Sequence, residues 1–140
     1  MKVPYSLPDI SDAEINEVID TLKSGWITTG PKVKKFENKF KEYIDNRLFA
    51  ISVNSATSGL HLALEALGIK EGDEVIVPSL TFTATAEVVR YLGADVKIID
   101  INKDTLNMDI SSIKNAINDR TKMIIPVHYG GLSCDMDNIL

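Results

Sequence analysis

Val53-Asn54-Ser55-Ala56-Thr57-Ser58-Gly59-Leu60-His61-Leu62 marks a change of period in the chain. The apolar run over residues 49–53 stops there at small polar residues. Beyond it Leu60, Ala63, Leu64 and Leu67 recur at helical spacing, and Gly68 closes the run. The pattern predicts a strand over residues 49–53, a tight turn and a helix. The first N–H groups of such a helix have no intrahelical partner and carry the positive end of its dipole. Ser55, Ala56, Thr57 and Ser58 let a ligand approach closely and bring hydroxyls with them. A turn of this kind caps a helix in any α/β protein, and it is also a good phosphate site.

The pattern repeats toward the carboxyl terminus. After the turn Lys70-Glu71-Gly72-Asp73, Glu74-Val75-Ile76-Val77 reads as a strand ended by Pro78. Ser79-Leu80-Thr81-Phe82-Thr83-Ala84-Thr85 opens a helix that carries Val88, Val89 and Leu92 and stops at Gly93. Val96-Lys97-Ile98-Ile99 is a third strand, ending at Asp100. Asp109 is the N-cap expected for a helix with Ile110, Ile113, Ala116 and Ile117. Met123-Ile124-Ile125-Pro126-Val127 is a fourth strand, followed by His128-Tyr129-Gly130-Gly131, and a last helix begins near Asp135. Continuous apolar strands alternating with helices predict an α/β fold, a mainly parallel sheet covered on both faces. Ligands of such sheets bind beyond the carboxyl ends of the strands. Residues 54–58, 79–83, Asp100 and residues 128–131 are all expected there.

Toward the amino terminus, residues 1–10 are extended and punctuated by Pro4 and Pro8. Ser11-Asp12-Ala13-Glu14 is a capping box, Ile15, Val18, Ile19 and Leu22 follow at helical spacing, and Gly25 ends the helix. The loop Gly25-Trp26-Ile27-Thr28-Thr29-Gly30-Pro31 holds the only tryptophan between two glycines. It reads equally as a loop pinned to the core by Trp26 and as a ligand-contacting loop. Pro31 suits the first turn of a second helix, with Val33, Phe36, Phe40 and Ile44 as its buried stripe and lysines outside.

The chain has 140 residues, 44% of them hydrophobic, which suits one ordinary domain with a real core. Cys134 is alone, so no disulfide framework or cysteine metal cluster forms within one chain, as fits a reducing cytoplasm. No signal peptide and no membrane-spanning run is read. A net charge of −5 argues against a nucleic-acid partner, and the lysines at 32, 34, 35, 39 and 41 read as a solvated helix face. No Gly-x-Gly-x-x-Gly follows the first strand and no Gly-Lys-Ser or Gly-Lys-Thr occurs, which disfavours dinucleotide dehydrogenases and P-loop hydrolases.

Five stretches carry a resemblance: Pro4-Tyr5-Ser6, residues 25–31, Asn54-Ser55-Ala56-Thr57-Ser58-Gly59-Leu60, residues 78–85, and Pro126-Val127-His128-Tyr129-Gly130-Gly131. In order and spacing the chain resembles the N-terminal part of the sugar aminotransferases of the DegT/DnrJ/EryC1/StrS family. The resemblance implies the large domain of the aspartate aminotransferase-like fold (PLP fold type I), a three-layer αβα sandwich, with pyridoxal 5′-phosphate as cofactor. It implies that Ser55, Ala56 and Thr57 hold the cofactor phosphate and that Phe82 stacks on the pyridine ring. The bland alternative for Phe82 is a core phenylalanine. Tyr5, Gly25, Trp26, Ile27 and Thr28 match positions on the nucleotide-sugar side. His128 is either structural or a substrate contact. Residues 1–30 are then an N-terminal arm, helix and substrate loop, and residues 31–140 part of the PLP-binding large domain.

The family's Schiff-base lysine and the aspartate that pairs with the pyridinium nitrogen are expected downstream of Leu140. No lysine here fits that motif, so no catalytic residue is assigned within the chain. The resemblance thus implies about the first third of a longer enzyme, with the 140-residue chain itself inactive. The parent would move an amino group from an amino acid, expected to be glutamate, to a 4-keto or 3-keto nucleotide-linked sugar for amino-sugar and polysaccharide synthesis. Two alternatives remain open: a PLP-dependent sugar dehydratase of the same family, and a non-catalytic fragment. A cytoplasmic homodimer is expected, without nucleic acid, membrane or metal.

Overall fold

The computed structural model describes residues 7–140. Tyr5 and the stretch around it lie outside the described residues. The chain forms two compact units that divide between Ser52 and Val53, so the expected functional boundary after Gly30 falls inside the first.

The first unit holds α1 (Asp12–Ser24) and α2 (Pro31–Ile44). Ser11 caps α1 as its sequence predicts. Its hydroxyl accepts from the Ala13 N–H at 3.2 Å, and the Glu14 carboxylate accepts from the Ser11 N–H at 2.7 Å. Gly25 ends the helix at φ 72°, a left-handed conformation that glycine adopts at no steric cost. Pro31 occupies the first turn of α2. Lys32 ties the two helices together. Its Nζ lies 2.5 Å from Glu17 Oε2 and 2.8 Å from Asp20 Oδ2, so this lysine is paired rather than simply solvated.

Two expectations fail in this unit. The apolar stripe of α2 is not buried: Phe36, Phe40 and Ile44 are all exposed, as are Val18 and Leu22 of α1. An amphipathic stripe records a face that needs cover, and two helices without a further layer cannot supply it. Residues 49–53 form no strand, and Phe49 is 93% exposed. A strand exists only where its backbone finds a ladder. Here the Ser52 N–H donates instead to Glu37 Oε1 at 2.8 Å.

The second unit contains a parallel sheet of β1 (Glu74–Pro78), β2 (Asp95–Ile99) and β3 (Thr121–Ile124) in the order β2-β1-β3. Against β2 the register runs from Glu74↔Asp95 to Pro78↔Ile99. Four strands were expected and three form. The last one also stops early, because Pro126 has no N–H to continue the ladder beyond the bond from Ile125 N–H to Ile76 O. The helices are α3 (Ala56–Ala66), α4 (Ala84–Tyr91), α5 (Ile110–Ala116) and α6 (Met136–Ile139). Alternation along β1 builds two cores. Val75 and Val77 meet Leu64 of α3 and Val88 and Val89 of α4, while Ile76 meets Ile99, Met108 and Ile113 of α5. Every residue of β1 is buried, as a middle strand covered on both faces requires. This is the expected three-layer αβα arrangement.

The amino edge of the sheet is closed by charge. Glu74 is 6% exposed, and its carboxylate accepts from Asn118 Nδ2 at 2.7 Å and Thr121 Oγ1 at 3.1 Å. Arg120 lies 3.6 Å from Glu74 and 2.7 Å from Asp95. Among the described residues no helix is long and apolar enough to cross a membrane, and no group of three or more His, Cys, Asp or Glu side chains could hold a metal ion.

Candidate functional site

Because the three strands are parallel, the segments after β1, β2 and β3 share one edge. Residues 79–83, Asp100 and residues 125–131 follow those strands directly. The fourth turn, residues 54–58, does not follow a strand, contrary to expectation. It reaches the same edge by another route. α3 enters β1 through the turn at residues 67–73 and packs back along the sheet through Leu64. Eleven helical residues rise about 16 Å and five strand residues about 16 Å, so the start of α3 lies level with the carboxyl end of β1.

The capping of α3 decides which amides are free there. Ser55 Oγ accepts from the Ser58 N–H at 3.1 Å, and the Ser58 hydroxyl reaches Asn54 Oδ1 at 2.9 Å. Two hydroxyls and one amide are thus spent on the turn itself. The N–H groups of Ala56 and Thr57 have no partner among the described residues, and they point along the dipole of an 11-residue helix. Two open amides at a helix start fit a phosphate.

Phe82 lies in the loop after β1 and is 77% exposed, so the core reading of this residue fails. The loop behind it is fixed by the Ser79 N–H on Ile99 O at 2.8 Å and by a 2.8 Å contact between the hydroxyls of Thr81 and Thr85. His128 follows β3 and is exposed, with Nδ1 accepting from the Cys134 N–H at 3.0 Å. In the first unit, Trp26 donates from Nε1 to Thr29 O at 3.0 Å and is 57% exposed, so it packs on its own loop and not in a core. With Ile27, Thr28 and Lys32 it lines a groove of about 480 Å³. Gly25 supplies the left-handed turn that opens this loop.

Residues 8–140 match the model of the DegT/DnrJ/EryC1/StrS aminotransferase family. The chain belongs to the DegT/DnrJ/EryC1/StrS aminotransferase family. It is 55% identical over 138 residues to the uncharacterized protein MJ1066 of Methanocaldococcus jannaschii, covering 99% of this chain and 36% of that protein. It is 49% identical to the spore coat polysaccharide biosynthesis protein SpsC of Bacillus subtilis, covering 99% of this chain and 35% of SpsC. Among solved structures it superposes on Spr1654 of Streptococcus pneumoniae, a proposed sugar aminotransferase in its PMP-form, with TM-score 0.89 and 46% identity. That match covers 99% of this chain and 35% of Spr1654. The chain spans about a third of the length of these relatives.

One polar residue of the DegT-family fold escaped the sequence reading. Asn107 is 5% exposed, and its amide bonds three backbone groups of the loop after β3. The sequence marks it only as one more polar residue in a loop. Its neighbour Leu106 adopts φ 61°, a left-handed conformation that costs a leucine energy and turns the loop tightly enough for Asn107 to enter the interior.

Proposed function

We propose that this chain is the cofactor-binding N-terminal part of a PLP-dependent aminotransferase acting on a keto sugar carried by a nucleotide. The observation that carries this reading is the pair of open amides at Ala56 and Thr57, at the edge that also holds exposed Phe82. In this reading those amides and the Thr57 hydroxyl hold the phosphate. Ser55 keeps the turn closed, and Phe82 covers one face of the pyridine ring. When bound, the cofactor supplies an electron sink for exchange of an amino group. The names of SpsC and Spr1654 support a sugar acceptor. We assign Tyr5, Gly25, Trp26, Ile27 and Thr28 to the nucleotide sugar, His128 to the substrate side, and glutamate as amino donor. Residues 1–30 then serve as arm and substrate loop and residues 31–140 as part of the large domain, in a cytoplasmic homodimer whose lysine and pyridinium-pairing aspartate lie beyond Leu140. The exposed apolar stripes of α1 and α2 and residues 49–53 support burial against further polypeptide or a partner subunit.

The test is made on the complete enzyme. Ala56 is the first residue of α3 and follows an extended Ser55, so proline fits there without breaking the helix. Ala56→Pro deletes one open N–H and is expected to weaken pyridoxal phosphate binding at least about tenfold, the loss of one hydrogen bond to a charged group. The visible absorbance of the cofactor reports it. Unchanged affinity in a folded variant removes the phosphate site from this turn. Mass spectrometry of a keto-sugar nucleotide incubated with glutamate should show an amino sugar. A dehydrated product instead assigns the dehydratase, and no product with any keto-sugar nucleotide ends the reading.

A further inference from the structure

The loop after β3 is held from one buried side chain, and this has a consequence for His128. Asn107 donates from Nδ2 to Leu132 O and to Ser133 O, each at 3.1 Å, and accepts from the Tyr129 N–H at Oδ1 at 3.0 Å. An asparagine amide offers two donors and an acceptor, and all three roles are used here. Leucine of similar size offers neither, and aspartate offers no donor to two carbonyl oxygens. The clamp closes a ring of chain. The Cys134 N–H, one residue beyond Ser133, donates to His128 Nδ1 at 3.0 Å, and the Cys134 thiol lies 3.2 Å from Val127 O.

A neutral imidazole that accepts at Nδ1 carries its proton on Nε2. We infer that Asn107 is a positioning residue, which through the Tyr129–Cys134 backbone holds His128 in the Nε2–H form as a hydrogen-bond donor at the carboxyl edge of the sheet. The assignment rests on the reading of that edge as the cofactor and substrate site. His128 is then a fixed Nε2–H donor suited to a carbonyl or anionic oxygen of the ligand, and Asn107 acts without touching the ligand.

Long-range proton–nitrogen NMR of the complete enzyme, with the label confined to residues 1–140, tests this at about pH 8.5, where an ordinary imidazole is neutral. The chain has two histidines, and His61, packed edge-on to Tyr91 at 5.7 Å, is the internal reference. His128 is expected in the single Nε2–H tautomer. In Asn107→Leu and Asn107→Asp it is expected to relax to mixed tautomers. Exchange of the Cys134 amide should quicken about tenfold, while His61 and the β1–β2 amides stay as they were. A tautomer mixture in the wild-type chain overturns the inference without any variant, so a variant that fails to fold does not shield it. An unchanged His128 in a folded variant overturns it equally. Pyridoxal 5′-phosphate added to the same sample separates the two readings. Unmoved Ala56 and Thr57 amides beside a locked His128 sink the cofactor site and leave the clamp. Shifted amides beside a mixed His128 do the reverse.

Discussion

Gly30 decides where the tryptophan of this chain sits. A Cβ at position 30 would lie 2.0 Å from Trp26 Nε1 and 2.4 Å from its Cδ1. The backbone there is extended, which any residue adopts, so the demand for glycine is purely steric. Gly30→Ala is expected to push the indole off Thr29 O and into water. Trp26 is the only tryptophan, so the emission of the whole chain should move to the red and its quenching by iodide should rise. An unmoved spectrum contradicts this packing. The sequence placed Trp26 between two glycines and left two roles open, because a contact between a ring and a Cα three or four residues away depends on a rotamer that no periodicity encodes. Asn107 was hidden for a related reason. Its partners lie more than twenty residues ahead, whereas Ser11 and Asp109 were legible because a cap finds its partner within three residues.

Elements followed the same division between local and distant causes. The Ser11 capping box, the glycine stops and the first two strands of the second unit were readable because each is written in adjacent residues. The strand expected over residues 49–53 and the buried stripe expected on α2 were not, since both depend on a partner that the pattern cannot name. The join between α1 and α2 is electrostatic, which gives it a pH window. Asp20, then Glu17, holds Lys32 above the ordinary lysine value. A raised lysine contributes fully below its unfolded value and loses that contribution as pH rises through the folded one. Lys32 in turn holds Glu17 and Asp20 below the ordinary carboxylate range. Their contribution is present above the unfolded value and is lost as pH falls through the folded one. The pairing is therefore strongest across the middle of the scale. Circular dichroism of wild type and Lys32→Met should differ there and converge at both extremes. Both partners are exposed, so about 0.5 M salt should shrink the difference. A difference that is constant with pH rules out the ion pairs as its source.

At the scale of the molecule, the alternation of apolar strands and helices was enough to read an α/β sandwich. The strand order was not readable, because order is set by which edges meet. The second unit stands on two cores separated by the thickness of one strand. Leu64 and Ile113 are 2% and 3% exposed on opposite faces. Leu64→Ala and Ile113→Ala should each cost about 3 kcal/mol in urea unfolding, and a loss below about 1 kcal/mol at either site would mean that face is not close-packed. The order β2-β1-β3 also has a history in time. The middle strand comes first in the chain, so a growing polypeptide offers β1 before either neighbour exists. The closure from β1 to β2 spans less than half the chain of that from β1 to β3, an entropic advantage of about 0.7 kcal/mol. Refolding should then zip α3, β1, α4 and β2 into a half-built sandwich before β3 returns. Leu64→Ala is expected to slow refolding and Ile113→Ala mainly to hasten unfolding, and stopped-flow traces with the opposite pattern would reverse that order. The loop that carries His128 is accordingly the last piece to arrive, assembled on a template that the rest of the sheet has already laid down.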